Sequence, residues 1–576
     1  MTTPQVSLRL GRGGIVLLTL ILAWTVGTPP ARGQDPPPTP IPVQAGADPQ
    51  GAPAADPGQT DPQGGQVLTR GPVHEAFAAP LVHDTTSAPT IPKEPPAPIQ
   101  EMPPDQKPAG QNIQWIPGYW SWDVSRNDYI WISGIWREPP PNNQWVPGYW
   151  HQVQEGFQWV PGTWIPVSTG QGSSQPSYLP APPQSLEAGP NTPQPSANVS
   201  WTPGYWSWQG TNYAWRPGFW AAVQPNWIWI PAHYVWTPSG YLFVPGYWDL
   251  PVANRGLMFA PVYYPQPVYA QPSFVFTPSI SIVGSAVTAN LFVHPATNQY
   301  LFGDYYAQNF VGVGITPWFS FTFATGRPAY YDPLFSYYAV INVRQNPAWI
   351  TQVRQSYILR RDNVAMRPPH TFVEQTRLIE RNVNITRNVT VVDHRTMAMP
   401  LSKLAADPVA GKGLRMVRVT EAERQQLHQQ VAQMHQFREQ RLQQEREGAR
   451  ARAAGGAAAA RQPRPMNLPH SPIAARPAPH PAGSRTEVAE RAEHEHAAGS
   501  RTDVARRSEP ERQPNRTAPG AENTAHRSAQ NAGGPRPQSR PQTSRPATRA
   551  PSRQPSSERT RSRPTEEEER RRPSGS

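Results

Sequence analysis

Trp201-Thr-Pro-Gly-Tyr-Trp206, and then, eight residues later, Trp215-Arg-Pro-Gly-Phe-Trp220: this pair of hexapeptides sets the reading of the whole chain. The pattern Trp-x-Pro-Gly-x-Trp recurs upstream at 115–120, 131–136, 145–150 and 159–164, and downstream at 229–234 and 243–248. Starts lie 14 residues apart, except for 16 between the first two and 42 across an interruption. A fixed internal period decides architecture before any local propensity does. Ser133 replaces the Pro, Ala232 the Gly, Tyr234 the last Trp and Phe243 the first Trp of their copies.

A 14-residue unit is too short for a helix pair, so it reads as strands. Pro-Gly favours a type II turn, which would set Trp215 opposite Trp220. Polar stretches between copies supply the alternate turns. Folding at 209–212 sets Trp206 opposite Trp215 and Trp208 opposite Tyr213. Folding at 223–226 sets Trp220 opposite Trp229, and folding at 237–240 sets Trp236 opposite Tyr241. The longer first interval fits as well, because a loop at 123–128 keeps Trp120 facing Trp131 and Trp122 facing Tyr129. The expected fold is mainly β: a short-stranded antiparallel meander with one face paved in aromatics. A type II turn splays a tight hairpin, so strong twisting or bending is expected at each Pro-Gly.

Such a face must be covered, since each ring removes about 150–250 Å² from water when buried. It can close on itself as core, stack on sugar rings, or receive proline-rich peptides, including the chain's own spacers. The candidate stacking residues are Trp120, Trp122, Trp150, Trp206, Trp208, Trp220 and Trp236. With these motifs in hand, the chain resembles the WXXGXW (or YXWGXW) repeat proteins exported by bacteria. That resemblance carries no activity, so no functional residues are transferred.

Outside the repeats, composition changes sharply. Arg9 and Arg12 precede an apolar run at 15–26 and a small-x-small site at Ala31-Arg32-Gly33, so 1–33 reads as a secretory signal peptide. Residues 34–112 read as a Pro-rich disordered spacer, 113–166 and 200–250 as two repeat modules, and 167–199 as a linker. Residues 257–395 are Tyr/Phe/Val-rich and read as a second β segment, with a strand in the alternating stretch 371–392. Thr420-Glu-Ala-Glu423 is a capping box that opens one C-terminal helix, expected at 420–446 with a narrow apolar stripe and a solvated face. Residues 449–576 read as an Arg/Pro-rich disordered tail. From 451 onward there are 23 Arg, no Lys and 13 acids, so nearly all of the net charge of +12 sits there.

The chain has no cysteine, which excludes disulfides, thiolate metal sites and a Cys nucleophile. Among its 14 His, His151, His233, His294, His370 and His394 show no metal-ligand spacing, and His494-Glu-His496 in the tail suggests weak adventitious metal binding at most. No phosphate loop or nucleophile elbow is present. The repeat acids Asp123, Asp128, Glu138, Glu155 and Asp249 fall mostly in expected turns and read as solvated. No catalytic residue, cofactor or metal site is assigned. The expected product is an exported structural or interaction protein of the periplasm, cell surface or medium, without a transmembrane domain after signal cleavage. Its expected partners are wall or extracellular polysaccharide for the Trp faces, and anionic polymers or a membrane surface for the tail. No specific nucleic-acid recognition is expected.

Overall fold

The structure, a computed structural model, describes residues 63–83, 86–167, 176–322, 331–385, 395–407, 410–411 and 413–475. The expected signal peptide, residues 34–62 of the spacer and residues 476–576 of the tail lie outside the described residues. What is described is mostly strand in small antiparallel sheets, with several helices rather than one.

The eight hexapeptides fold two by two into four hairpins. In the first, Gln114–Ile116 pairs with Ile135–Arg137, and Tyr119–Asp123 pairs with Asp128–Ile132. The second pairs Asn143–Val146 with Thr163–Pro166, and Tyr149–Val153 with Gly156–Val160. The third pairs Val199–Thr202 with Phe219–Ala222, and Tyr205–Trp208 with Tyr213–Arg216. The fourth pairs Ile228–Ile230 with Tyr247–Asp249, and His233–Thr237 with Gly240–Val244.

Of the polar turns, the one expected at 223–226 does not pair its flanks, while those at 123–128, 209–212 and 237–240 fold as expected: Trp206 faces Trp215, Trp208 faces Tyr213, Trp120 faces Trp131, Trp122 faces Tyr129 and Trp236 faces Tyr241. The Pro-Gly turns do not. Trp220 faces Trp201 rather than Trp215 or Trp229, and Trp229 faces Trp248. The reason lies in what the glycine is for. A type II turn needs glycine at positive φ, and no motif glycine adopts it. Instead, a Cβ on any of the seven motif glycines would sit 2.4–2.9 Å from the indole of the first Trp of the partner copy. Gly118 meets Trp131 and Gly134 meets Trp115; Gly204 meets Trp215 and Gly218 meets Trp201. Glycine makes room for a six-membered ring, and the chain passes through Pro-Gly as a break in a long arm.

The two breaks of each hairpin lie side by side, and its halves go separate ways. In the first hairpin, the outer half joins Gly256–Leu257, while the inner half joins Val262–Tyr263 and Gln66–Val67. The inner half of the fourth joins Ser177–Leu179 and Arg464–Pro465.

The flanks contribute more than expected. Within 63–112, expected as spacer, Leu68, Ala76, Phe77 and Ile99 are buried. Residues 257–322 supply strands and short helices, and three longer helices follow: α1 (Pro333–Gln345), α2 (Trp349–Asp362) and α3 (Phe372–Ile385). The strand expected at 371–392 is thus a helix over its first part. Thr371 and Glu374 form a capping box, with Thr371 Oγ1 accepting from Glu374 N at 3.2 Å and Glu374 Oε2 accepting from Thr371 N at 3.1 Å. That nucleus, following Pro368-Pro369, carries the helix into the alternating stretch.

Helix α4 (Glu421–Ala454) begins as expected, with Thr420 Oγ1 accepting from Glu423 N. It is longer than 420–446 and is packed rather than solvated: Val431, Met434, Phe437, Arg438, Arg441 and Glu445 are buried. Residues 449–475, expected in the tail, finish this helix and bury Met466 and Ile473.

Three buried ion pairs, two of them sharing Asp249, tie the hairpins to this frame. Arg441 Nε donates to Glu445 at 2.8 Å, and its Nη1 donates to the carbonyls of Pro147 and Pro161, at the two breaks of the second hairpin. Asp249, expected in a solvated turn, lies instead in a strand, where it accepts from Arg137 at 2.6 and 2.8 Å and pairs with Arg255 at 2.9 Å. Arg137 and Arg255 also donate to the carbonyls of Ala76 and Phe77, which stitches the first and fourth hairpins to the N-terminal segment.

Candidate functional site

Opposed aromatics are the common element of the hairpins. Seven Trp–Trp pairs have centroids 5.1–5.4 Å apart at 55–75° between planes, the edge-to-face geometry favoured by the ring quadrupole. Buried indole N–H groups need acceptors, and three glutamates outside the repeats take those of Trp131, Trp159 and Trp201.

Glu101 Oε1 accepts from Trp131 Nε1 at 3.0 Å and Gly134 N at 2.9 Å, while Oε2 accepts from Gly118 N at 2.9 Å. Glu75 accepts from Trp159 Nε1 at 2.5 Å and Gly162 N at 2.9 Å. Glu187 accepts from Trp201 Nε1 at 3.0 Å and Gly204 N at 2.5 Å. In each case one carboxylate spans Trp-x-x-Gly of one copy and staples a segment from outside the repeats to the hairpin, a Pro-rich one at Glu101 and Glu187. Burial pushes Glu75 and Glu101 up to about 7, against the pull of their N–H donors.

Backbone carbonyls of the same segments take further indoles. Trp120 donates to Ala97 O, Trp136 to Gln106 O and Trp164 to Ala76 O. On the third hairpin, Trp206 donates to Gln184 O at 3.0 Å and Trp220 to Thr192 O at 3.1 Å, and the Tyr213 hydroxyl donates to Pro180 O at 2.7 Å. The linker expected at 167–199 is, over 180–198, a strap laid across that hairpin.

These staples were missed in the sequence because acids in Pro-rich stretches read as solvated. One signal was available: Glu101 and Glu187 each stand 14 residues before the first Trp of a hairpin and 17 before its glycine.

A family model for the WXXGXW repeat (2 copies) matches residues 115–137, 126–150, 144–164, 200–221 and 225–249. Residues 115–249 carry WXXGXW repeats. Comparison with curated proteins gives no match, and neither does comparison with solved structures. Four of the five matches coincide with a two-copy hairpin, and 126–150 straddles the first and second.

The seven candidate stacking residues divide among the modules. Trp120 is only 4% exposed and lies within the core of the first. Trp122 and Trp150 are half-buried and both meet Tyr129 edge-on. Trp236 is half-buried on the fourth, in register with Tyr241. Trp206, Trp208 and Trp220 come together on the third module, joined there by Trp201, Tyr205, Tyr213, Trp215 and Phe219. All eight are half-buried, whereas Trp115, Trp131, Trp136 and Trp164 of the first two modules are fully buried. The third module is therefore where WXXGXW rings meet solvent as a group. Among the described residues no cluster of three or more His, Asp or Glu could hold a metal, and no helix is long and apolar enough to cross a membrane.

Proposed function

We propose that this chain is an exported, non-catalytic structural and interaction protein of the cell envelope. The observation that carries the reading is the use made of the repeat's aromatics: they are opposed in pairs, and nine of the paired indoles donate their N–H to the chain's own carboxylates and carbonyls. Side chains so engaged serve cohesion first, and what they present outward is contact surface. The Arg-rich tail adds an electrostatic attachment to anionic polymers or a membrane surface, screened by salt. The leader reading at 1–33 supports export, and N-terminal sequencing of the secreted form is expected to begin at Gln34.

A second reading is carbohydrate binding through the third module, favoured by its half-buried rings. Acrylamide quenching of tryptophan fluorescence, with soluble wall and storage polysaccharides titrated in, separates the two. The structural reading expects largely protected emission that is indifferent to glycans. A quenchable population that becomes protected as one glycan is added would replace it with the second reading.

A further inference from the structure

We infer that the third module is a receptor for an extended proline-rich segment bearing a glutamate, and that a partner protein can supply that segment in place of the chain's own 180–198 strap. The inference rests on reading the modules as interaction elements, and it names the partner class.

The recipe is used three times within the chain. A segment from outside the repeats lies on a module, one glutamate bridges an indole N–H and the glycine N–H three residues on, and backbone carbonyls take other indoles. Around Glu101 and Glu187 that segment is Pro-rich, while at Glu75 it turns. Such recognition asks little of sequence: one carboxylate, an extended backbone, and few residues needing their own N–H partners. Proline-rich chains are preformed for it, because their conformational freedom is already reduced.

The third copy differs in what holds the segment down. Around Glu75 and Glu101 the segments run through the core, with Ala76, Phe77 and Ile99 at most 3% exposed. Along 181–198 only Glu187 is buried, at 7% exposed, while its neighbour Leu186 is 61% exposed and residues 190–198 are all exposed. The strap is held by the Glu187 staple and by the carbonyls of Pro180, Gln184 and Thr192. Few apolar contacts and exposed hydrogen bonds put a segment at the low-stability end of a fold. Releasing it opens no core, and it uncovers the donors of Trp201, Gly204, Trp206, Tyr213 and Trp220. A competing segment needs only to present a carboxylate and carbonyls at the same spacing.

The test uses the full chain and a fluorescent synthetic peptide of sequence 180–198. The chain carrying Glu187→Ala is expected to bind it, and the same peptide with its own Glu187→Ala is expected to bind roughly tenfold or more weakly. Near-UV circular dichroism reports whether that variant keeps its aromatic packing. A parallel measurement on the wild-type chain needs no variant: excess unlabelled peptide should accelerate hydrogen exchange of the strap amides and leave those around Glu75 and Glu101 unchanged. Strap exchange indifferent to peptide, or binding indifferent to the peptide's glutamate, would overturn the inference. Either failure with fluorescence still protected would leave the structural reading standing, whereas protection by a glycan would remove that reading alone.

Discussion

Tyr234 and Phe243 face each other across the fourth module with ring centroids 5.2 Å apart, so two residues that replace tryptophan in the repeat form one pair. The third departure in this module belongs with them. In every other copy the motif glycine lies against the first Trp of its partner, and by that rule the position of Ala232 answers to Phe243. A phenyl ring lacks the second ring of an indole and leaves space for the methyl. Three departures are one compensated exchange.

The exchange can be run backwards. We expect Phe243→Trp alone to lower stability by about 1–3 kcal/mol through overpacking against Ala232. Ala232→Gly in the same chain should recover most of that loss. Urea unfolding of the double-mutant cycle reads the coupling, and additive effects would sever the two positions.

At Gly134 a methyl would meet Trp115 Cζ2 and Glu101 Oε2, both at 2.5 Å. Gly134→Ala should therefore cost about 2 kcal/mol or more, combining overpacking with a disturbed staple. Gly210→Ala makes a useful contrast, since nothing lies within 4 Å there and only its positive φ of 88° opposes the change.

Buried carboxylates give the staples a pH signature. The Glu101 carboxyl is raised from 4.5 to about 7 by burial, so the folded chain holds this proton where the unfolded chain has lost it. Its contribution to stability is fully present below pH 4.5 and falls as pH rises to 7, by about 3 kcal/mol over the window. His74, His233 and His294, each lowered to about 4 by burial, act oppositely below pH 6.5. The sign is therefore read from a difference. The stability gap between wild type and Glu101→Gln in urea unfolding should shrink from pH 4.5 to 7. A gap that stays constant would mean that Glu101 titrates as it does in water.

Arg441 and Glu445 are both fully buried, and the Tyr149 hydroxyl also donates to Glu445, at 2.5 Å. Removing one member strands the other's charge, so Arg441→Met should cost about 3–5 kcal/mol. Arg441→Met with Glu445→Gln should be clearly more stable than Arg441→Met alone. Thermal unfolding of the three chains decides this.

The sequence was legible where local chemistry has one solution. Polar turns such as 209–212 fixed the inner pairings, and the Thr420 capping box fixed the start of α4. It misled where a residue served a purpose other than its commonest one. Motif glycines answer to a neighbouring indole rather than to a backbone angle, so the pairings expected of Trp220, with Trp215 and with Trp229, were displaced. Thr371 and Glu374 form the same box as Thr420 and Glu423, and the helix it nucleates overrides the start of the Asn/Val alternation that follows. Of the candidate platform, Trp206, Trp208 and Trp220 do gather on one module. The glutamate staples were hidden because the strap and spacer carry no apolar period of their own, and Glu75 gains its role only through a pairing 87 residues away at Gly162.

The side-by-side breaks in each hairpin also bear on how such an array is inherited. A lone 14-residue copy has neither an opposing tryptophan nor a glycine to lie against, so duplication or loss of one copy leaves an orphan. Copies can enter or leave the array only in twos. Length is free to drift at the hairpin tips, as the 16-residue first interval already shows, and is pinned at Pro-Gly. Related chains should therefore differ by even numbers of copies and by insertions at alternate turns.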